Sequence, residues 1–221
     1  MSRRQGDAQS NESILEILSA DFAELYAYCV GAEMRHQKIF ANIDHEILEN
    51  ILCKYIVDHD IVELLEKTID SFNTKHKSGV GLPLGNLTSQ LLVNIYMNGF
   101  DQFAKRDLNI RQYVRYADDF VIVHENRMYL ENLVPKIAEF LKTKLKLELH
   151  PEKLFIKTLS SGVDFLGWVH FPNYRALRTA TKKRMLKKLQ RNGTPEMLAS
   201  YYGMLSHGNA HKLMKKIQAR M

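Results

Sequence analysis

The stretch Tyr113-Val114-Arg115-Tyr116-Ala117-Asp118-Asp119-Phe120-Val121-Ile122 sets two adjacent acids between short runs of aromatic and β-branched residues. Residues 112 to 124 therefore read as two short strands around a tight Asp118-Asp119 turn, the pattern of a hairpin. Acidic residues form turns readily, so the pair alone fits an ordinary reverse turn. Two crowded carboxylates also repel, and they relieve the repulsion by sharing a proton or by holding a divalent cation. Hard oxygen donors favour magnesium.

On the N-terminal side of the hairpin the apolar period is helical. Ile47, Leu48, Ile51 and Leu52, then Ile61, Leu64, Leu65 and Ile69, predict helices over 46 to 57 and 60 to 72, parted by Asp58-His59-Asp60. Residues 73 to 85, rich in Gly, Lys and Ser and holding Pro83, read as a loop, and helical spacing resumes over 88 to 105. On the C-terminal side, 128 to 146 reads as a long amphipathic helix and 147 to 170 as strands. From Thr181 onward the pattern is helical again, with breaks at Gly193-Thr194-Pro195 and near Gly208. Helices interleaved with antiparallel strands predict an α+β domain, its helices packed on one face of the sheet, followed by a small helical unit.

A chain of 221 residues, 45% hydrophobic, accommodates one core and an appendage. No apolar run nears the roughly 20 residues of a membrane span, and the polar start, Met1 to Asn11, lacks a signal-peptide pattern, so the expected location is cytoplasmic, away from membranes. Cys29 and Cys53 show neither metal spacing nor a disulfide framework. The net charge of +6 is uneven. Residues 173 to 221 hold 12 Lys and Arg against Glu196 alone, a surplus of 11, which leaves the rest of the chain at −5. A basic lobe beside an acidic one suits a protein that grips phosphate backbones with one part and gathers carboxylates in another.

The "YADD" of Tyr116 to Asp119 is similar to the polymerase signature of reverse transcriptases, and companion motifs follow in that family's order. "GLPLGNLTSQLLVNIYMNGFDQF" (Gly81 to Phe103), "LELHPEK" (Leu147 to Lys153), "VDFLGW" (Val163 to Trp168) and "SYYGMLSHGNAHKL" (Ser200 to Leu213) each resemble one of them. The form "LGNLTSQ" looks like the bacterial enzymes of diversity-generating retroelements rather than those of group II introns. The resemblance runs from about Lys38 to the C-terminus. It implies a palm over 39 to 172, a partial basic thumb over 173 to 221, and a divergent segment over 1 to 38 with the fingers largely missing.

It also implies roles. Asp118 and Asp119 would bind metal, two Mg2+ ions in the family, and Lys153 would act near the leaving pyrophosphate. Phe40, Gly85, Asn86, Gln90 and Tyr116 would line the nucleotide pocket, with Phe40 as the gate against a ribose hydroxyl. Phe165, Leu166 and Gly167 would form the primer grip, and Lys182, Lys183, Arg184 and Lys187 would meet nucleic-acid backbone. The implied partners are an RNA template, a DNA primer and deoxynucleotides, with room for an accessory protein that the sequence does not name. The implied activity is magnesium-dependent nucleotidyl transfer to the primer 3′ end. The competing expectation is an inactive remnant that binds nucleic acid.

That competitor arises at one position. In this family a third metal-binding Asp stands ten residues before the His of "FANIDH" (Phe40 to His45), and that place holds Arg35. Arginine cannot ligate a cation and repels it. Glu33 shares the strand face but lies about 6–7 Å further along it. We hypothesise a frameshift. The codons of Glu33 to Ile39, read one nucleotide later, can encode Lys-Cys-Asp-Ile-Arg-Lys-Phe, and residues 1 to about 38 would then carry no sequence selected for this fold; their leucine spacing still allows a helix over Ile14 to Cys29, to which no role is assigned. The gene's nucleotides decide: codons that spell Asp-Ile in the shifted frame are expected, and codons incompatible with that pair refute the idea.

Overall fold

The computed structural model describes residues 27–33, 39–71, 78–83 and 85–218. Arg35, most of the expected helix over Ile14 to Cys29, and much of the loop over 73 to 85 lie outside them. The described chain divides into two units. One holds the described residues from Tyr28 to Ile156, and the other those from Lys157 onward together with Ala27. The division falls earlier than the sequence-based boundary after residue 172, so the strands around "VDFLGW" group with the basic helices.

The first unit contains β1 (Tyr28–Glu33), α1 (Ile39–Asn42), α2 (His45–Cys53), α3 (His59–Asp70), α4 (Leu87–Gln102), β2 (Tyr113–Tyr116), β3 (Asp119–His124) and α5 (Arg127–Leu145). The β2-β3 hairpin forms where the sequence places it, with Tyr116 paired to Asp119. β3 is an interior strand, pairing antiparallel with β1 on its other side from Tyr28↔His124 to Glu33↔Asp119. β4 (Phe155–Thr158) follows β1 in the sheet order β2-β3-β1-β4. The expected helix is therefore corrected at its end, because Tyr28 and Cys29 are strand. Residues 28 to 33, expected to be foreign to the fold, supply an interior strand. The cause is non-local: β1 is fixed by the partner it pairs with, which leucine spacing upstream cannot report.

Strand alternation sends Val30, Ala32, Tyr113, Phe120 and Ile122 to the face covered by α4 and α5, where they share one core with Phe100, Leu130 and Ile137. Phe100 meets Phe120 edge-on at 5.1 Å and Tyr113 at 5.8 Å between ring centroids. Such geometry adds about 0.5–1.5 kcal/mol per pair beyond burial. The opposite face is also dry at Cys29, Gly31, Val121 and Val123. A Cβ on Gly31 would lie 2.3 Å from the Phe155 ring, so the ring occupies the place of a side chain. The Tyr96 hydroxyl, buried in α4, donates to the Leu145 carbonyl at 2.7 Å and satisfies a group that the end of α5 leaves unpaired.

The segment "FANIDH" is tied to the glycine loop that precedes α4. His45 N donates to Gly79 O at 3.0 Å, Gly81 N to Ile43 O at 2.8 Å, and Leu82 N to Phe40 O. The buried His45 ring adds an Nε2 bond to Gly81 O at 2.7 Å.

The second unit contains a small sheet in the order β5 (Val163–Phe165), β6 (Trp168–His170), β7 (Arg175–Leu177), followed by α6 (Thr179–Asn192), α7 (Pro195–Leu205) and α8 (His211–Gln218). Thr194 caps α7, accepting from Met197 N at 3.3 Å, and Pro195 occupies its first turn, so the predicted break between helices is a helix start. Met185, Leu198, Leu205, Leu213 and Ile217 form the unit's own core.

His170 lies fully buried in β6. Its Nε2 is 3.3 Å from Phe165 O, and its Nδ1 meets no partner. Burial above all pulls its pKa down to about 4. An unfolded histidine titrates near 6.5, so between those values the unfolded chain takes a proton that the fold refuses. Stability is thus whole above about pH 6.5 and falls as pH drops through about 4, by on the order of 3 kcal/mol at most. Denaturant titrations at pH 7 and 4.5 should show this loss and should show it reduced in His170→Gln. Separately, Gly31→Ala should cost about 1–3 kcal/mol at pH 7 by overpacking against Phe155.

Candidate active site

The tip of the β2-β3 hairpin is the two-residue turn Ala117-Asp118, with Ala117 at φ +52°. A residue with a Cβ occupies that left-handed region at a cost of roughly 1–2 kcal/mol, so neighbouring contacts must hold it. Asp118 and Asp119 are both half-buried at this tip, in reach of solvent while their flanking strands are packed. By alternation Asp119 shares a sheet face with Tyr116, away from α4 and α5.

Glu33 pairs with Asp119 across β1 and β3, so an acid position lies directly opposite the hairpin acid. Among the described residues, no cluster of three or more acid, histidine or cysteine ligands is assembled. Asp118 and Asp119 offer hard oxygen donors suited to Mg2+.

What holds the turn lies in the fold rather than in any sequence motif. The Arg115 side chain is only 8% exposed. Its Nε donates to Asp101 Oδ1 at 2.7 Å and its Nη2 to Asp101 Oδ2 at 2.6 Å, a bidentate pair on α4. Nη1 donates to Ala117 O at 2.8 Å, and Tyr113 OH donates to Asp101 Oδ1 at 2.6 Å. Burial pulls the guanidinium down, but the Asp101 hydrogen bonds and charge outweigh it and leave the group above its ordinary pKa. Burial, then the Asp101 carboxylate, pushes the Tyr113 phenol far above its usual range. The available signal was a charged residue inside an otherwise apolar strand.

Gly85, at φ +93°, and exposed Asn86 lead into α4, where Asn86 holds the N-cap position. Gln90 is half-buried one turn into that helix, and half-buried Phe40, the second residue of α1, packs against the core. Lys153 closes a 3-10 turn over Pro151–Lys153, whose start is capped by the His150 ring accepting from Glu152 N at 3.2 Å. In the second unit, Phe165, Leu166 and Gly167 make the β5-β6 turn. Leu166 at φ +51° and Gly167 at φ +82° match a two-residue hairpin turn with both central residues left-handed. Lys182, Lys183, Arg184 and Lys187 are exposed on α6, whose Met185 is buried.

The group II intron-encoded protein LtrA of Lactococcus lactis subsp. cremoris is 26% identical over 72% of this chain and 37% of its own length. Protein YkfC of Escherichia coli K12 is 29% identical over 58% of this chain and 43% of its own. The chain thus spans under half the length of these relatives. Among solved structures, an apo telomerase from Candida tropicalis truncated from its C-terminal domain matches with a TM-score of 0.59, covering 79% of this chain and 40% of that one. A telomerase from Candida albicans in complex with a telomeric RNA fragment matches at 0.58, over 83% and 38%. At 13% identity both are likenesses of fold. The model described as "Reverse transcriptase (RNA-dependent DNA polymerase)" matches residues 1–170, starting well ahead of the quoted motifs. With that model covering more than half of its length, the chain belongs to the reverse transcriptase family.

Proposed function

We propose that this chain carries the palm and part of the thumb of an RNA-directed DNA polymerase, which adds deoxynucleotides to a DNA primer on an RNA template. The observation that carries the reading is the half-buried Asp118-Asp119 pair at the tip of a hairpin whose other face is bolted to the helical core. Asp118 and Asp119 would hold Mg2+, which when bound activates an attacking oxygen and offsets charge on the leaving one. Gly85, Asn86, Gln90, Phe40 and Tyr116 would shape the nucleotide pocket, and Lys153 would meet the pyrophosphate. Phe165 to Gly167 would grip the primer. The "LGNLTSQ" form supports a diversity-generating retroelement subgroup, although the named relative LtrA is encoded by a group II intron.

A second reading, a palm that binds nucleic acid without polymerising, is favoured by Arg35 in the place where the family resemblance expects an acid. Incorporation of labelled deoxynucleotide on a primed RNA separates the two. Near-background incorporation is expected from the unaltered chain, with a rise of tenfold or more in Arg35→Asp and loss again when Asp118→Ala is added. Robust incorporation that survives Asp118→Ala overturns the polymerase reading. Robust incorporation that falls with Glu33→Gln would instead assign the third acid to the position opposite Asp119.

The exposed α6 cations support backbone contact. Replacing Lys182, Lys183, Arg184 and Lys187 by Gln should weaken primed-RNA binding at least tenfold at 0.1 M salt and flatten its salt dependence. Each lost phosphate contact removes about 0.7–0.9 from the slope of log affinity against log salt.

A further inference from the structure

On α4, Gln90, Asn94 and Asp101 are spaced four and seven residues apart, which places them on one stripe of the helix. The stripe begins at the proposed nucleotide pocket and ends at Arg115. There the guanidinium uses its fork on two different elements at once. Two N–H groups grip the Asp101 carboxylate at 2.6 and 2.7 Å, and Nη1 reaches Ala117 O at 2.8 Å and Asn94 Oδ1 at 3.4 Å. Ala117 is the left-handed residue immediately before Asp118.

If the pair served packing alone, an apolar side chain of similar volume would do as well, because a buried ion pair must first offset its desolvation. What an apolar replacement cannot supply is a planar donor set fixing a carbonyl in the strained turn relative to the helix. We propose that Arg115 is a positioning residue that clamps the turn presenting Asp118 and Asp119 to α4, so that the carboxylate pair and the Gln90 end of that helix keep one fixed spacing. Arg115 acts through Ala117, and its catalytic meaning rests on the polymerase reading above.

The test compares the unaltered full chain with Arg115→Met and Arg115→Lys, lysine being a charged side chain that cannot hold Asp101 and Ala117 together in one plane. Three quantities are read: thermal stability, amide hydrogen exchange resolved over residues 113–122, and Mn2+ affinity by electron paramagnetic resonance. Both variants should keep a cooperative melting transition while amide exchange at Asp118 and Asp119 accelerates tenfold or more relative to Val121 and Ile122, and Mn2+ binding weakens by about tenfold. Unchanged exchange at the turn in a folded variant overturns the proposal. So does an equal acceleration along the whole hairpin, which is what a merely structural pair would produce. If Arg115→Met fails to fold, Arg115→Lys decides by the same criteria. If the unaltered chain binds no Mn2+, as Arg35 in the third acid's place would cause, the exchange comparison alone judges Arg115.

Discussion

Asp119 is held from both sides, by Tyr116 in β2 and by Glu33 in β1, and the geometry of the candidate site follows from that double pairing. A hairpin of two strands is marginal in water, so β2 and β3 alone would present their acids from a frayed tip. Adding β1 makes β3 an interior strand with its backbone groups paired on both edges. A one-residue slip on either side would send Phe120 and Ile122 away from Phe100 and turn Asp119 into the helical core, where an unpaired carboxylate is costly. Register and burial therefore enforce each other.

The core decides orientation and a few buried polar groups decide detail. Aromatic contacts among Phe100, Tyr113 and Phe120 fix which face of the hairpin meets α4. The Arg115-Asp101 pair then sets the turn within that frame, and the His45 bonds do the same for the glycine loop entering α4. One helix thus serves as the common reference for the residues that the family resemblance assigns to the nucleotide and for those it assigns to metal. Apolar packing is tolerant of small shifts. Hydrogen bonds with fixed directions are not.

Much of this was readable from residues. The hairpin showed because strand alternation and turn chemistry are local, and α4 and α5 showed because their apolar period is long. The end of the leucine-spaced N-terminal segment was misread because "YCVGAE" contains no strict alternation. Its strand state comes from pairing with residues some ninety positions later. The same non-locality hid the relation between Glu33 and Asp119, since spacing along one strand says nothing about register across to another. Arg115 carries no such signal, because a charge in a short strand ordinarily faces water and only the placement of Asp101 beneath it reveals otherwise. Within the site, the acids and the glycine of the loop were legible as chemistry. Their supports were legible only as geometry.

Trp168, the single tryptophan of the chain, is 4% exposed, packs so closely on Gly208 that a Cβ there would come within 2.1 Å of its ring, and has the Arg175 guanidinium 5.2 Å from its ring centre. All three residues belong to the second unit. The indole is therefore a native optical reporter for that unit alone. Its emission follows the melting of the β5-β7 sheet and the basic helices, whereas the tyrosines are shared between both units. Comparing the two signals during unfolding resolves whether the chain comes apart in one step or in two, without attaching any label.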